Sequence, residues 1–151
     1  MENTTESFNR DIEVASHLRI TIHRLVKLLR RQTNNDSDLS LTERSTMGSL
    51  YNHGELAASA LAQMEKVTTQ SMSQIINHLY ELSYIHKTPS EEDKRKVLLT
   101  LTAEGKAFVE ESRQRKQEWL AHALHEKVSP AEKDLLMEAL KIMTKLIDEQ
   151  M

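Results

Sequence analysis

Between Thr68 and Tyr80 the chain carries Thr69, Gln70, Ser73, Gln74 and Asn77, and no Asp, Glu, Lys or Arg. On a helix these side chains share the face turned away from Met72 and Ile76. Gln and Asn amides pair bidentately with adenine in the major groove of a duplex, and threonine methyls touch thymine methyls. A merely solvated face fills with Glu, Lys and Arg, which with Asp make up 28% of this chain. A charge-free polar face here suits the reading of base edges, with Thr68 at its leading end.

A second group follows at Asp93-Lys94-Arg95-Lys96, after a polar loop that opens with Thr88-Pro89. Three cations at the tip of a hairpin can place an arginine in a narrow A·T-rich minor groove, which attracts it. Asp93 stands two residues before Arg95, where a charge-assisted hydrogen bond would orient the guanidinium. Charged hairpin tips are common, so the motif gains its meaning from its position after the uncharged helix. His122 and His125 lie three apart on one helix face and could share an ion, but a helix C-terminus favours paired histidines through its dipole alone. With no cysteine in the chain, no thiolate site exists, and no metal or cofactor is expected. Neither a nucleophile motif nor a phosphate loop nor HExxH appears, so no enzymatic activity is expected.

The elements that must position these residues follow from apolar spacing. Val14, Leu18, Ile22, Leu25 and Leu29 trace a helix from about Asp11 to Gln32, which Asn34-Asn35-Asp36-Ser37-Asp38 ends with turn-forming residues. Ser40-Leu41-Thr42-Glu43 is a capping box that opens a second helix, with Met47 and Leu50 inward and its end near His53-Gly54. Ser59 to Lys66 predicts a short helix with Leu61 and Met64 inside. After a brief turn, Thr68 or Thr69 caps a longer one that reaches Leu82 and buries Met72, Ile76, Leu79 and Leu82. That pair is helix-turn-helix grammar. Tyr84–Lys87 and Lys96–Leu101 predict two strands, and with the charged loop between them they make a wing. From Thr102 a long helix runs to about Glu126, with Leu101, Gly105, Phe108, Ser112, Trp119 and Ala123 along one face. Ser129-Pro130-Ala131-Glu132 opens a final helix with a second capping box and proline at its first position. Its apolar stripe, from Leu135 to Ile147, is too wide for a single neighbour.

The 151 residues suit one domain with helical extensions, and only 4% are aromatic. A charge-rich helical chain with so small a core completes it by pairing with a copy of itself. The net charge of −3 is unusual for a partner of phosphate, which needs local positive potential. No apolar run approaches the ~20 residues of a membrane span, and the polar, acidic N-terminus is unlike a targeting peptide, so a cytoplasmic protein without membrane contact is expected.

From Leu39 to Gly105 the chain resembles the MarR (multiple antibiotic resistance regulator) family of winged-helix regulators. The resemblance rests on Leu61-Ala62, the Ser/Thr-rich stretch Thr68 to Gln74, and Leu79. It also rests on the wing pattern Asp93-Lys94-Arg95, Val97-Leu98-Leu99 and Leu101-Thr102-Ala103-Glu104-Gly105. It implies an α+β, mostly α fold: a winged helix-turn-helix over 39–101, with a dimerisation region built from 1–33 and from the last two helices, 102–151. It further implies a bacterial transcriptional regulator that meets a pseudo-palindromic operator as a homodimer, with Thr68, Thr69, Gln70, Ser73, Gln74, Asn77, Lys94, Arg95 and Lys96 on double-stranded DNA. A repressor relieved by a small aromatic or amphipathic effector is the expected form, with the effector between the dimer region and the winged helix and His17, Arg19, His23 and Trp119 as its candidate lining. Three positions depart from the family pattern. Gln74 stands where members often carry arginine, and Lys66 and Ser83 replace common turn glycines, a conformational cost if the backbone there has positive φ.

A different class of function also fits the acidic balance and the uncharged helix: a dimeric helical interaction module whose winged helix no longer holds DNA.

Overall fold

The computed structural model describes residues 2–33 and 39–148; the expected turn at 34–38 lies outside the described residues. In chain order the elements are α1 (Glu2–Thr33), α2 (Leu41–His53), β1 (Leu56–Ala57), α3 (Ala58–Met64), α4 (Thr69–Glu81), β2 (Ile85–Pro89), β3 (Val97–Leu101), α5 (Ala103–Lys127) and α6 (Pro130–Asp148). They form two compact units, residues 36–114 and residues 1–35 with 115–151. The long helix α5 belongs partly to each.

The 36–114 unit holds the core. Met47 and Leu50 of α2, Leu61 of α3, Met72 and Leu79 of α4, and Ile85 and Leu99 of the sheet are almost wholly removed from solvent. Local signals start and stop these helices. Ser40 and Glu43 exchange the two bonds of a capping box, with Ser40 N–H donating to Glu43 Oε2 at 2.7 Å and Glu43 N–H to Ser40 Oγ at 3.2 Å. Gly54, at φ 80°, ends α2 with its N–H on the Leu50 carbonyl. The expected backbone cost at the two missing glycines is present, since Lys66 (φ 54°) and Ser83 (φ 62°) both adopt left-handed conformations.

The sheet has the antiparallel order β1-β3-β2, with Ile85 opposite Leu101 and Lys87 opposite Leu99. β1, which the sequence pattern does not indicate, pairs Leu56 with Leu99 and so gives β3 a second neighbour. Two inward assignments are corrected. Met64 is 43% and Leu82 40% exposed, because each ends its helix and the chain then turns, leaving Val67 and Tyr84 to pack against the core instead. α5 is tied to α2 by polar contacts. Tyr51 Oη donates to Glu110 at 2.9 Å, and Arg113 donates to Asn52 at 2.7 Å while stacking over the Tyr51 ring.

In the other unit, α1 begins well before the expected Asp11, at Glu2. α6 starts where expected, with Ser129 N–H donating to Glu132 Oε2 at 2.8 Å across its capping box. Among the described residues no side chain of α1 or α6 is buried. Phe8, Ile12, Val14, Leu135, Leu140 and Ile142 all stand open to solvent in a single chain.

Candidate nucleic-acid interface

Thr68 takes a cap conformation and accepts the Ser71 N–H at 3.1 Å, which fixes where α4 begins. It also donates its hydroxyl hydrogen to Ser71 Oγ, so the side chain works first as a cap. Beyond it, Met72, Ile76 and Leu79 bury one side of α4. Thr69, Gln70, Ser73, Gln74 and Asn77 are all exposed on the remainder. Ser73 donates to the Thr69 carbonyl at 2.9 Å, which leaves its oxygen facing outward as an acceptor. Gln74 stands exposed on the same uncharged surface.

The wing is closed by a short ladder. Ser90 N–H donates to the Lys96 carbonyl and Lys96 N–H to the Asp93 carbonyl, at 2.9 and 2.8 Å. Asp93 Oδ1 accepts the Arg95 backbone N–H at 3.1 Å and its Nε–H at 3.4 Å. The aspartate therefore shapes the tip more than it clamps the guanidinium, and the Arg95 side chain is 93% exposed. A crevice of about 220 Å³ separates the start of α4 from the wing base and is lined by Ser59, Thr69, Ser73, Arg95 and Lys96. The fold thus sets the leading polar residues of α4 beside two of the three wing cations, with Lys94 exposed at the same tip.

Sequence reasoning missed one member of this surface. Lys87 of β2 donates to Asn77 Oδ1 at 2.6 Å, and its ammonium lies 4.6 Å from the centroid of the Tyr80 ring. Strand period offered a signal: Lys87 shares a strand face with buried Ile85, and a half-buried lysine there needs a partner. At the other side of α4, His78 bonds the buried Glu43 carboxylate. Burial pushes the Glu43 pKa up, but the bonds from His78 and Ser40 outweigh it and hold the carboxyl below its usual range.

The four expected effector residues all belong to the 1–35 and 115–151 unit. At 3.6 residues per turn, Arg19 and His23 share one side of α1 while His17 faces another way. There His17 lines an open groove with Val14, Leu18 and Thr21. Trp119 is half-buried on α5. Among the described residues no group of three or more His, Asp or Glu could hold a metal ion, and no helix is long and apolar enough to cross a membrane.

A helix-turn-helix whose second helix exposes an uncharged amide-bearing face, followed by a basic two-stranded wing, defines the winged-helix class. Residues 39–97 match the MarR family. An HTH-type transcriptional regulator of Mycobacterium tuberculosis is 34% identical over 139 residues, which cover 92% of this chain and 96% of that protein. A regulator of Bacillus subtilis is 26% identical over 74% of this chain and 69% of its own length. Among solved structures, a transcriptional regulator protein from Pseudomonas aeruginosa superposes with a TM-score of 0.80 at 23% identity, over 93% of this chain and 98% of the other. Wild-type MarR from E. coli gives 0.69 at 22% identity, over 83% and 95%. The chain belongs to the MarR family of helix-turn-helix transcriptional regulators and is not an enzyme.

Proposed function

We propose that the chain binds DNA sequence-specifically as a homodimer, on a pseudo-palindromic operator in the bacterial cytoplasm. One observation carries the reading: α4 exposes Gln70, Ser73, Gln74 and Asn77 with no charge among them, beside the cations of the wing. Amides and hydroxyls read base edges, while cations hold phosphates and narrow minor grooves. The net charge of −3 then matters less than its distribution. The test is a titration of labelled A·T-rich duplex at low and moderate salt. Binding that weakens with salt and prefers one sequence over random duplex supports the reading. No binding at low salt would instead leave the dimeric interaction module.

Pairing of two copies is supported by the open apolar sides of α1 and α6, which a soluble monomer avoids leaving uncovered. A dimer presents two α4 helices to half-sites about one helical turn apart. By family kinship the chain is a repressor relieved by a small aromatic or amphipathic ligand, for which Arg19, His23, His17 and Trp119 are candidate contacts. Loss of operator binding on addition of an aromatic carboxylate, restored by dialysis, is the expected behaviour.

A further inference from the structure

Asn77 does not present a free amide to a duplex. Its Oδ1 accepts the Lys87 ammonium at 2.6 Å, and the same ammonium sits over the Tyr80 ring at 4.6 Å from the centroid. An ammonium carries donors and no acceptor, so the atom facing it must be the amide oxygen and the outward atom the Nδ2 donor. Lys87 is half-buried on β2, backed by the pairing of its strand with Leu99 of β3, and so approaches Asn77 from a fixed place.

We infer that Lys87 is a specificity-determining positioning residue, which turns Asn77 from a reader of adenine into a reader of guanine. The inference rests on α4 being the base-reading helix. A free asparagine recognises adenine by donating to N7 and accepting from the N6 amino group at once. Lys87 takes one of the two lone pairs of Oδ1, and its positive charge beside that oxygen repels the hydrogens of an incoming amino group, so the acceptor half of that pair is weakened. Guanine offers two acceptors, N7 and O6, on the same edge. An amide donor flanked by an ammonium matches it. The identity of one base in each half-site is thus decided by a residue of β2 rather than by the helix alone. Tyr80 contributes by stacking under the ammonium and keeping it desolvated on one side, a cation–π contact.

The experiment is selection of duplexes from a random pool by the full-length protein, followed by sequencing of the retained DNA. Asn77→Ala identifies the base position that depends on this residue by erasing preference there. The wild-type protein is expected to favour guanine at that position. Lys87→Met keeps an unbranched apolar side chain at this position but removes the donor and the charge. It should shift the preference to adenine by about fivefold or more, the lower end of what one bidentate contact discriminates. Lys87→Arg, which keeps donor and charge, should retain guanine. Asn77→Asp leaves Lys87 untouched and turns the outward atom into an acceptor, so it should move the preference to cytosine, which offers its N4 amino group. A Lys87→Met profile unchanged in sequence but weaker on every duplex would overturn the inference and make Lys87 a phosphate contact only. A wild-type preference for adenine at the Asn77 position would overturn it equally. Failure of the wild-type protein to retain any DNA is a separate outcome, which removes the base-reading role of α4 itself.

Discussion

Gly105 shows how one residue joins the wing to the helix that follows it. A Cβ built at this position would lie 2.1 Å from the Tyr84 carbonyl oxygen and 3.0 Å from its carbon. The same carbonyl accepts the Thr102 N–H at 3.0 Å, and Thr102 Oγ1 donates to the Ser83 carbonyl while accepting the Gly105 N–H. Leu101-Thr102-x-x-Gly105 is therefore a device that caps α5 and seats it against the left-handed turn after α4. Gly105→Ala forces backbone apart and should destabilise the fold by about 1–3 kcal/mol, as overpacking does, read as a lower urea midpoint. An unchanged midpoint would mean that the turn at Ser83 yields freely. Arg95 belongs to the opposite kind of residue. At 93% side-chain exposure it contributes little to stability, so Arg95→Ala should leave the melting curve in place. It should weaken binding to every duplex alike and lower the log–log salt slope by roughly 0.9, one phosphate's worth. Full affinity and slope in that variant would remove the wing from the interface.

At the scale of elements, legibility followed the length of the pattern. The capping boxes at Ser40–Glu43 and Ser129–Glu132 name their helix starts to the residue, because cap chemistry is local. α4 was readable because thirteen residues give its apolar and polar faces room to separate. β1 is two residues long, too short for any alternation, and exists only through its pairing with β3. The first turns of α1 lack an apolar stripe, so periodicity could not reach back to Glu2. Contacts between elements were less visible still, as Lys87 on Asn77 shows. The Glu43–His78 bond is another, reaching from the first turn of α2 to the last turn of α4. Its pH dependence follows from the carboxyl. Glu43 is held below its ordinary value of 4.5 in the folded chain, so its contribution is complete above that value and fades as pH falls through the lower, folded-state one. Glu43→Gln should cost about 1 kcal/mol near neutral pH, a typical hydrogen-bond contribution. The stability difference between the two chains should then shrink below about pH 4.5 as the wild-type carboxyl protonates. Stability curves that stay parallel down to pH 3 would show that the bond contributes nothing.

For the molecule as a whole, the unequal burial of its two units is the governing fact. The winged helix closes its own core, whereas among the described residues α1 and α6 bury no side chain. On α6 the exposed residues Leu135, Leu136, Leu140, Ile142, Leu146 and Ile147 follow helical spacing over most of its nineteen residues. On α1 exposed apolar residues run from Phe8 to Leu28. Apolar surface buried at an interface contributes about 25 cal/mol per Å², so two such helices per chain offer a second copy a large incentive to pair. A hydrophobic stripe this broad needs more than one partner helix, and a second copy would supply two. The full-length chain should therefore sediment as a dimer at micromolar concentration. Leu136→Asp with Leu140→Asp would bury two carboxylates without partners, at a cost of several kcal/mol, and should yield monomers whose winged helix keeps its near-native circular dichroism. Such monomers can reach one half-site at a time, and should lose the tight two-site complex while keeping weak, salt-sensitive binding to single half-sites. A wild-type chain that runs as a folded monomer would refute the pairing and leave the open faces of α1 and α6 to some other partner. A doubly substituted chain that still dimerises would move the interface off α6 and onto α1.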